Sequence, residues 1–321
     1  MKGIINLNKA PGMSSHDCVA AVRRITGEKK TGHPGTLDPM ASGVLPILAG
    51  GATRCSDRFL DMEKTYVGTA RFGLVSDTQD VWGNTISRKD PEAVKVTEEQ
   101  IAAALERFRG EILQRPPAFS ALKKDGKPLY KLARKGIAVE ADPRPVTIYD
   151  IKLLRVFAEE GLPAAEISIT CGRGTYIRTV INDLGEALGT GAVMTALRRV
   201  SYGGFRVENA VTLEELAALA ESGRLEEALE PIETVFRGAP EAELDENEKK
   251  AYMQGKTVIM PADRTGGADH SGEVLVKCGG KLFATAKLVP AEPAGGIDGR
   301  NASEDEGRSF VRLVPARYFG E

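Results

Sequence analysis

Apolar positions along the chain switch between two periods, and the switches mark out helices and strands. Cys18, Val19, Val22 and Ile25 follow Ser15 at helical spacing. "TEEQIAAALERF" sets Thr97 and Gln100 as a capping box ahead of Ile101, Ala104, Leu105 and Phe108, and "TLEEL" repeats the device with Thr212 and Glu215. A further helix carries the stripe Ile177, Val180, Ile181, Leu184 and Leu188, with Tyr176 and Arg178 at its start and Arg178 off the stripe. Between these, "YVGTARFG" and "AEISITC" alternate with period two and predict strands, the second placing Ile167, Ile169 and Cys171 on one face. After Gly238 the acidic "PEAELDENEKK" leads into short strand-like runs, "KTVIM", "GEVLVKC", "KLFATAKLV" and "SFVRLVP", parted by glycine-rich turns. The pattern predicts an α+β chain with domains at 1–238 and 239–321, the second small and β-rich. Residues 290–308, rich in Pro, Gly and acids, read as a flexible acidic loop.

One segment breaks the alternation. From Met40 to Thr53 no residue is charged, directly after "GHPGTLDP" with its single carboxylate, Asp38. Gly, Pro and Asp are turn residues, yet turns rarely run into so long an uncharged stretch. The segment therefore reads as a loop entering buried structure, with Asp38 at the boundary between solvent and core. An ionisable group in that position needs a partner or a task; capping of the following turn is the plainer alternative.

Composition narrows the class. At 321 residues and 42% hydrophobic content the chain can build the core of one large or two ordinary domains. The net charge of −2 does not announce a polyanionic partner, but the distribution does more: Arg107 to Arg144 holds ten Lys or Arg against four Asp or Glu. Such a stretch suits phosphate contacts, or is simply a solvated basic face. Four scattered cysteines without a C-x-x-C pair, and three histidines, argue against zinc and disulfide frameworks. The start meets Pro and Gly too early for a secretory segment, and no apolar run is long enough to span a bilayer, so a cytoplasmic address is expected.

Three more places could carry chemistry. In "CGRGTYIRTVINDLGEALG", Arg178 near a helix start could pair with a carboxylate from elsewhere and favour its ionised form, and the backbone around Gly172 and Gly174 could cradle phosphate; the alternative is a surface arginine in an exposed ion pair. In "KTYVGTARFG", Lys64 and Tyr66 open a strand, where Tyr66 is either packing or a platform for a base. "QRPPAFSALKKDGKPLYKLARKG" interleaves Lys and Arg with Phe119 and Tyr130, as nucleic-acid-binding segments do.

In the same order, "GHPGTLDPMASGVLPILAGGATR", "KTYVGTARFG" with "SDTQD" behind it, "QRPPAFSALKKDGKPLYKLARKG" and "CGRGTYIRTVINDLGEALGTGAVMTALRR" resemble the TruB family of tRNA pseudouridine synthases. The resemblance runs from "GIINLNKAPGMSS" to about Phe205, and the tail is similar to a PUA-type RNA-binding domain. It implies a pseudouridine synthase fold with a central mixed, mainly antiparallel sheet flanked by helices and loops. It also implies that Asp38 is the catalytic aspartate, that His33 helps hold the RNA, that Tyr66 stacks on the target base, and that Lys64 supports that strand. Tyr176 and Arg178 correspond to the substrate-pocket tyrosine and the arginine pairing with the aspartate, Leu197 to the apolar wall, and residues 115–136 to a mobile segment that folds over RNA. Two places depart from the family pattern: Ala10 stands in "NKAPG" where a proline is usual, and "GRGTY" replaces "SKGTY".

The activity so implied is isomerisation of the T-arm uridine at tRNA position 55, with no cofactor or metal, by a monomer needing no protein partner. Asp38 would serve as nucleophile toward the ribose or as base at C2′. Two rivals are a tRNA-binding folding chaperone, which would not need Asp38, and a glycosidase, which would need a second acid such as Asp77 or Asp80 flanking the bond.

Overall fold

The computed structural model describes residues 1–119, 123–124, 127–129, 141–265, 273–291 and 309–320. Most of the expected clamping segment 115–136, and the acidic loop beyond Ala291, lie outside the described residues.

A ten-stranded sheet carries the first part of the chain. Its main strands are β1 (Gly3–Lys9), β2 (Ser42–Ala49), β3 (Lys64–Phe72), β4 (Gly110–Gln114), β5 (Arg144–Glu159), β6 (Leu162–Cys171), β7 (Ala192–Tyr202) and the short β8 (Leu229–Glu230). They lie in the order β8-β1-β2-β7-β3-β6-β5-β4. Every neighbouring pair in that order is antiparallel except β2 and β7, which run parallel over two rungs, Arg198 opposite Ser42 and Arg199 opposite Gly43. The sheet is thus mixed and mainly antiparallel. The parallel seam needs a glycine: Gly43 has φ +98°, and a Cβ there would meet the Arg199 carbonyl oxygen at 2.2 Å.

Helices α1 (Ser15–Thr26), α2 (Glu98–Leu105), α3 (Ile177–Ala187) and α4 (Leu213–Glu221) contribute their apolar stripes to one core with Ile5, Leu7, Leu45, Ile47, Ile167 and Ile169 of the sheet. Alternate residues of the same strands, Ile4, Val44 and Leu48, enter a second core with Phe59, Phe205 and Phe236. Burial on both faces explains the uncharged run that follows Asp38. The expected capping boxes form at Thr97 and Thr212. For α1 the cap is Ser14, in a box with Asp17, one residue before the expected Ser15.

Past Glu230 the chain leaves this sheet, and from Glu241 it builds a five-stranded one in the order β9-β11-β12-β13-β10, from β9 (Glu241–Glu243), β10 (Val258–Pro261), β11 (Glu273–Cys278), β12 (Lys281–Ala291) and β13 (Phe310–Tyr318). The segment read as merely acidic also holds α5 (Glu246–Met253), capped by Asp245. Leu275, Leu282 and Phe319 of this PUA-like unit join the second core beside Phe59 and Phe236. Above them Glu273 bonds Arg58, Thr285 and Arg317, and Arg317 reaches Asp57 at 2.6 Å. No helix among the described residues is long and apolar enough to cross a membrane.

Candidate active site

Asp38 sits in the loop between α1 and β2, and polar groups from two elements fix that loop on both sides of it. Ser15 Oγ accepts from the Leu37 amide at 2.8 Å and donates to the Leu37 carbonyl at 3.1 Å. Lys9, 1% exposed at the end of β1, donates from Nζ to the carbonyls of Ala10, Pro39 and Ala41 at 3.0, 3.1 and 2.6 Å. The Gly12 amide adds a bond to the Pro39 carbonyl at 2.8 Å. Burial lowers the pKa of Lys9, although Cys18 and Asp38 oppose the shift.

The Asp38 carboxylate, 38% exposed, faces the guanidinium of Arg178, with Nε to Oδ2 at 3.0 Å. Arg178 is itself buried, though it lies off the apolar stripe of α3, because acceptors surround it. Its Nη1 lies 3.5 Å from Asp80 Oδ2 and donates to the Thr78 carbonyl at 3.0 Å, and its Nη2 donates to the Phe119 carbonyl at 3.2 Å. Gln79, at φ +64°, turns the chain between Thr78 and Asp80. Asp80 is held in turn by Thr78 Oγ1 at 2.6 Å and by the Trp82 amide at 3.0 Å. Asp80 and Asp38 therefore share one guanidinium, while Asp77 is taken up by Asn84. The two-acid arrangement of a glycosidase is not what these residues form.

A cavity of about 210 Å³ opens onto this pair, lined by Leu37, Asp38, Tyr66, Tyr176, Arg178 and Leu197. Gln114, 2% exposed at the end of β4, clamps the backbone of Tyr176 by accepting from its amide at 2.8 Å and donating to its carbonyl at 3.0 Å. Gly68, opposite Leu197 in the sheet, lets α3 pack close to β3, since a Cβ there would meet Ile181 and Ile177 at 3.2 and 3.3 Å. Burial raises the pKa of the Tyr66 phenol, opposed by the charge of Arg199.

Two expected site residues lie away from the cavity lining. Lys64 is buried, donates to the Leu60 carbonyl at 2.8 Å and lies over the Tyr202 ring at 4.8 Å. His33 is half-buried, and its Nδ1 has no hydrogen-bond partner among the described residues. Burial first, then the charge of Arg199, lowers its pKa. The Gly172 amide considered for a phosphate cradle is committed to the Thr147 carbonyl at 2.9 Å. Ser15, Lys9, Gln114 and Asp80 as a partner of Arg178 are not evident from sequence pattern; a buried-polar reading of "NKAPG" against the adjoining loop would have been the one available signal.

The acid and arginine thus pair at a small cavity on a mixed sheet, and solved structures share that architecture. "Crystal Structure of a Cbf5-Nop10-Gar1 Complex" superposes with a TM-score of 0.68 at 27% identity over 99% of this chain and 84% of that one. "Structure of H/ACA RNP bound to a substrate RNA containing 2'-deoxyuridine" gives 0.68 at 25% identity over 99% and 85%. Residues 23–177 match the model of the TruB family pseudouridylate synthase N-terminal domain, and residues 178–237 that of the tRNA pseudouridylate synthase B C-terminal domain. tRNA pseudouridine synthase B of Azoarcus sp. (strain BH72) is 41% identical over 89% of this chain and 90% of its own length. That of Ralstonia pickettii (strain 12J) is 44% identical over 80% of each. The chain belongs to the TruB family and is a pseudouridine synthase enzyme.

Proposed function

We propose that the chain converts the T-arm uridine at position 55 of tRNA to pseudouridine, with Asp38 acting at the ribose. The observation that carries this is the Asp38 carboxylate at the cavity mouth, held by buried Arg178 through one oxygen and without a second partner among the described residues. The cavity is smaller than the roughly 300–1,000 Å³ of drug-sized sites, which suits a single flipped base.

In the reaction the bond from C1′ to N1 breaks, the base turns, and C5 bonds to C1′; the C5 proton is lost and N1 gains one, so nothing is oxidised or reduced. Asp38 acts as nucleophile at C1′ or as base at C2′, and a 2′-deuterated uridine separates the two: a primary isotope effect on single-turnover rate marks the base. Extruding the uridine costs a few kcal/mol, and stacking on Tyr66 returns about 1–3 kcal/mol. Leu197 and Tyr176 wall the cleaved base from water, which would otherwise trap the sugar as an abasic site. Residues 115–136 fold over the RNA, His33 and Lys64 support its binding, and the domains 1–238 and 239–321 act together as a cytoplasmic monomer that needs no protein partner.

The test is pseudouridine mapping at single-nucleotide resolution on unmodified tRNA with the purified chain and with Asp38→Asn. Product at the T-arm uridine from the wild type alone, with tRNA still bound by the variant, is expected. Bound tRNA without product from the wild type would leave a binding protein or folding chaperone.

A further inference from the structure

Arg199 is a guanidinium in the wrong place for stability. It is 1% exposed and has no ion pair with any carboxylate among the described residues. Buried Lys9 and Lys64 lie close enough for its charge to oppose theirs. A buried cation without an ion pair, beside like charges, is costly, and an apolar side chain would fill the space without that cost.

Its bonds fall on three separate segments. Nε donates to the Val44 carbonyl at 2.7 Å in β2, Nη2 to the Gly35 carbonyl at 3.2 Å in the Asp38 loop, and Nη1 to the Tyr66 hydroxyl at 3.4 Å in β3. The guanidinium lies 4.8 Å from the Tyr202 ring centroid, a cation–π contact that offsets part of the desolvation. On β7, Arg199 stands opposite Gly43 of β2 and Tyr66 of β3, and a bulge follows it before Ser201. Only a planar fork reaches three such divergent acceptors at once; a lysine ammonium has the charge but not the span.

We propose that Arg199 is a positioning residue for the reaction: it ties the phenol oxygen of Tyr66 to the backbone of the Asp38 loop, fixing the distance between the ring under the base and the acid at the sugar. This rests on the function proposed above. Small errors in such a distance are costly, because reacting groups must be held near attack geometry.

The test is a double-mutant cycle on the full chain with tRNA, reading single-turnover rate at saturating enzyme, tRNA affinity and the unfolding midpoint. Arg199→Lys is expected to slow the rate tenfold to a hundredfold while tRNA affinity changes less than threefold. In Tyr66→Phe, which has no hydroxyl to hold, the same substitution should add less than a threefold loss. Multiplicative losses, or a defect confined to affinity, would overturn the proposal. Should Arg199→Lys fail to fold, Gly35→Ala takes its place: its methyl would meet the Tyr202 ring at 3.0 Å and displace the carbonyl that Arg199 holds. The same coupling with Tyr66→Phe is then expected, and its absence is equally fatal. An inactive wild type, seen before any variant, refutes the parent function instead.

Discussion

The two acids on Arg178 differ in exposure, Asp38 at 38% and Asp80 at 9%, and under the proposed function that difference separates catalysis from stability. Asp38→Asn breaks a partly solvated pair, so thermal unfolding should reveal a loss of only about 1 kcal/mol or less while product formation disappears. Asp80→Asn removes the buried partner and should cost more, about 3 kcal/mol, together with a rate at least tenfold lower because Arg178 loses its anchor. Equal unfolding penalties for the two would show that burial does not set their roles. A variant lacking both Asp38 and Arg178 should be no slower than Asp38→Asn, since the arginine works through the acid; additive losses would argue otherwise.

At the scale of elements, residues that act through backbone bonds decide how the acid is presented. Ser15→Ala deletes both bonds to Leu37 and should cost about 1–2 kcal/mol. Hydrogen exchange would register it as faster exchange at the Leu37 amide; unchanged protection there would show that the bonds from Lys9, Gly12 and Arg199 hold the loop without Ser15. Such residues explain what the sequence hides. Asp38 and Arg178 stand out because charges interrupt local patterns. Gln114 and Ser15 bond backbone 62 and 22 residues away, and no local period records that. Helices α2 and α4 were legible through their caps and α3 through its apolar stripe, whereas β5 was not, because register shifts near Ile148 and Leu153 spoil its alternation. The acidic stretch before α5 concealed an ordinary capping box, Asp245 with Glu248.

For the molecule as a whole, the charges around Glu273 fasten the PUA-like unit to residues 54–58 of the larger sheet's unit. Burial alone would push the Glu273 carboxyl up, but hydrogen bonds from Thr285 and Arg317 and the charges of Arg317 and Arg58 outweigh it, leaving the value below the ordinary 4.5. A depressed acid stabilises the fold above its unfolded value, and that contribution fades as pH falls through the folded one. The unfolding midpoint should therefore fall below about pH 4.5 in the wild type, and fall less steeply in Glu273→Gln. Parallel acid limbs for the two proteins would rule out this fastening.

The two-rung seam between β2 and β7 also sets when the enzyme can work. Through it Arg199 meets Val44, 155 positions away, so the half of the site bearing the acid and the half bearing the arginine and tyrosine join only by a distant encounter. Contacts of that span close late, after local helices and hairpins have formed. During refolding from denaturant, helical signal should return first and turnover only with the slow phase. A nascent chain would accordingly carry Asp38 through most of synthesis before Arg178 stands beside it.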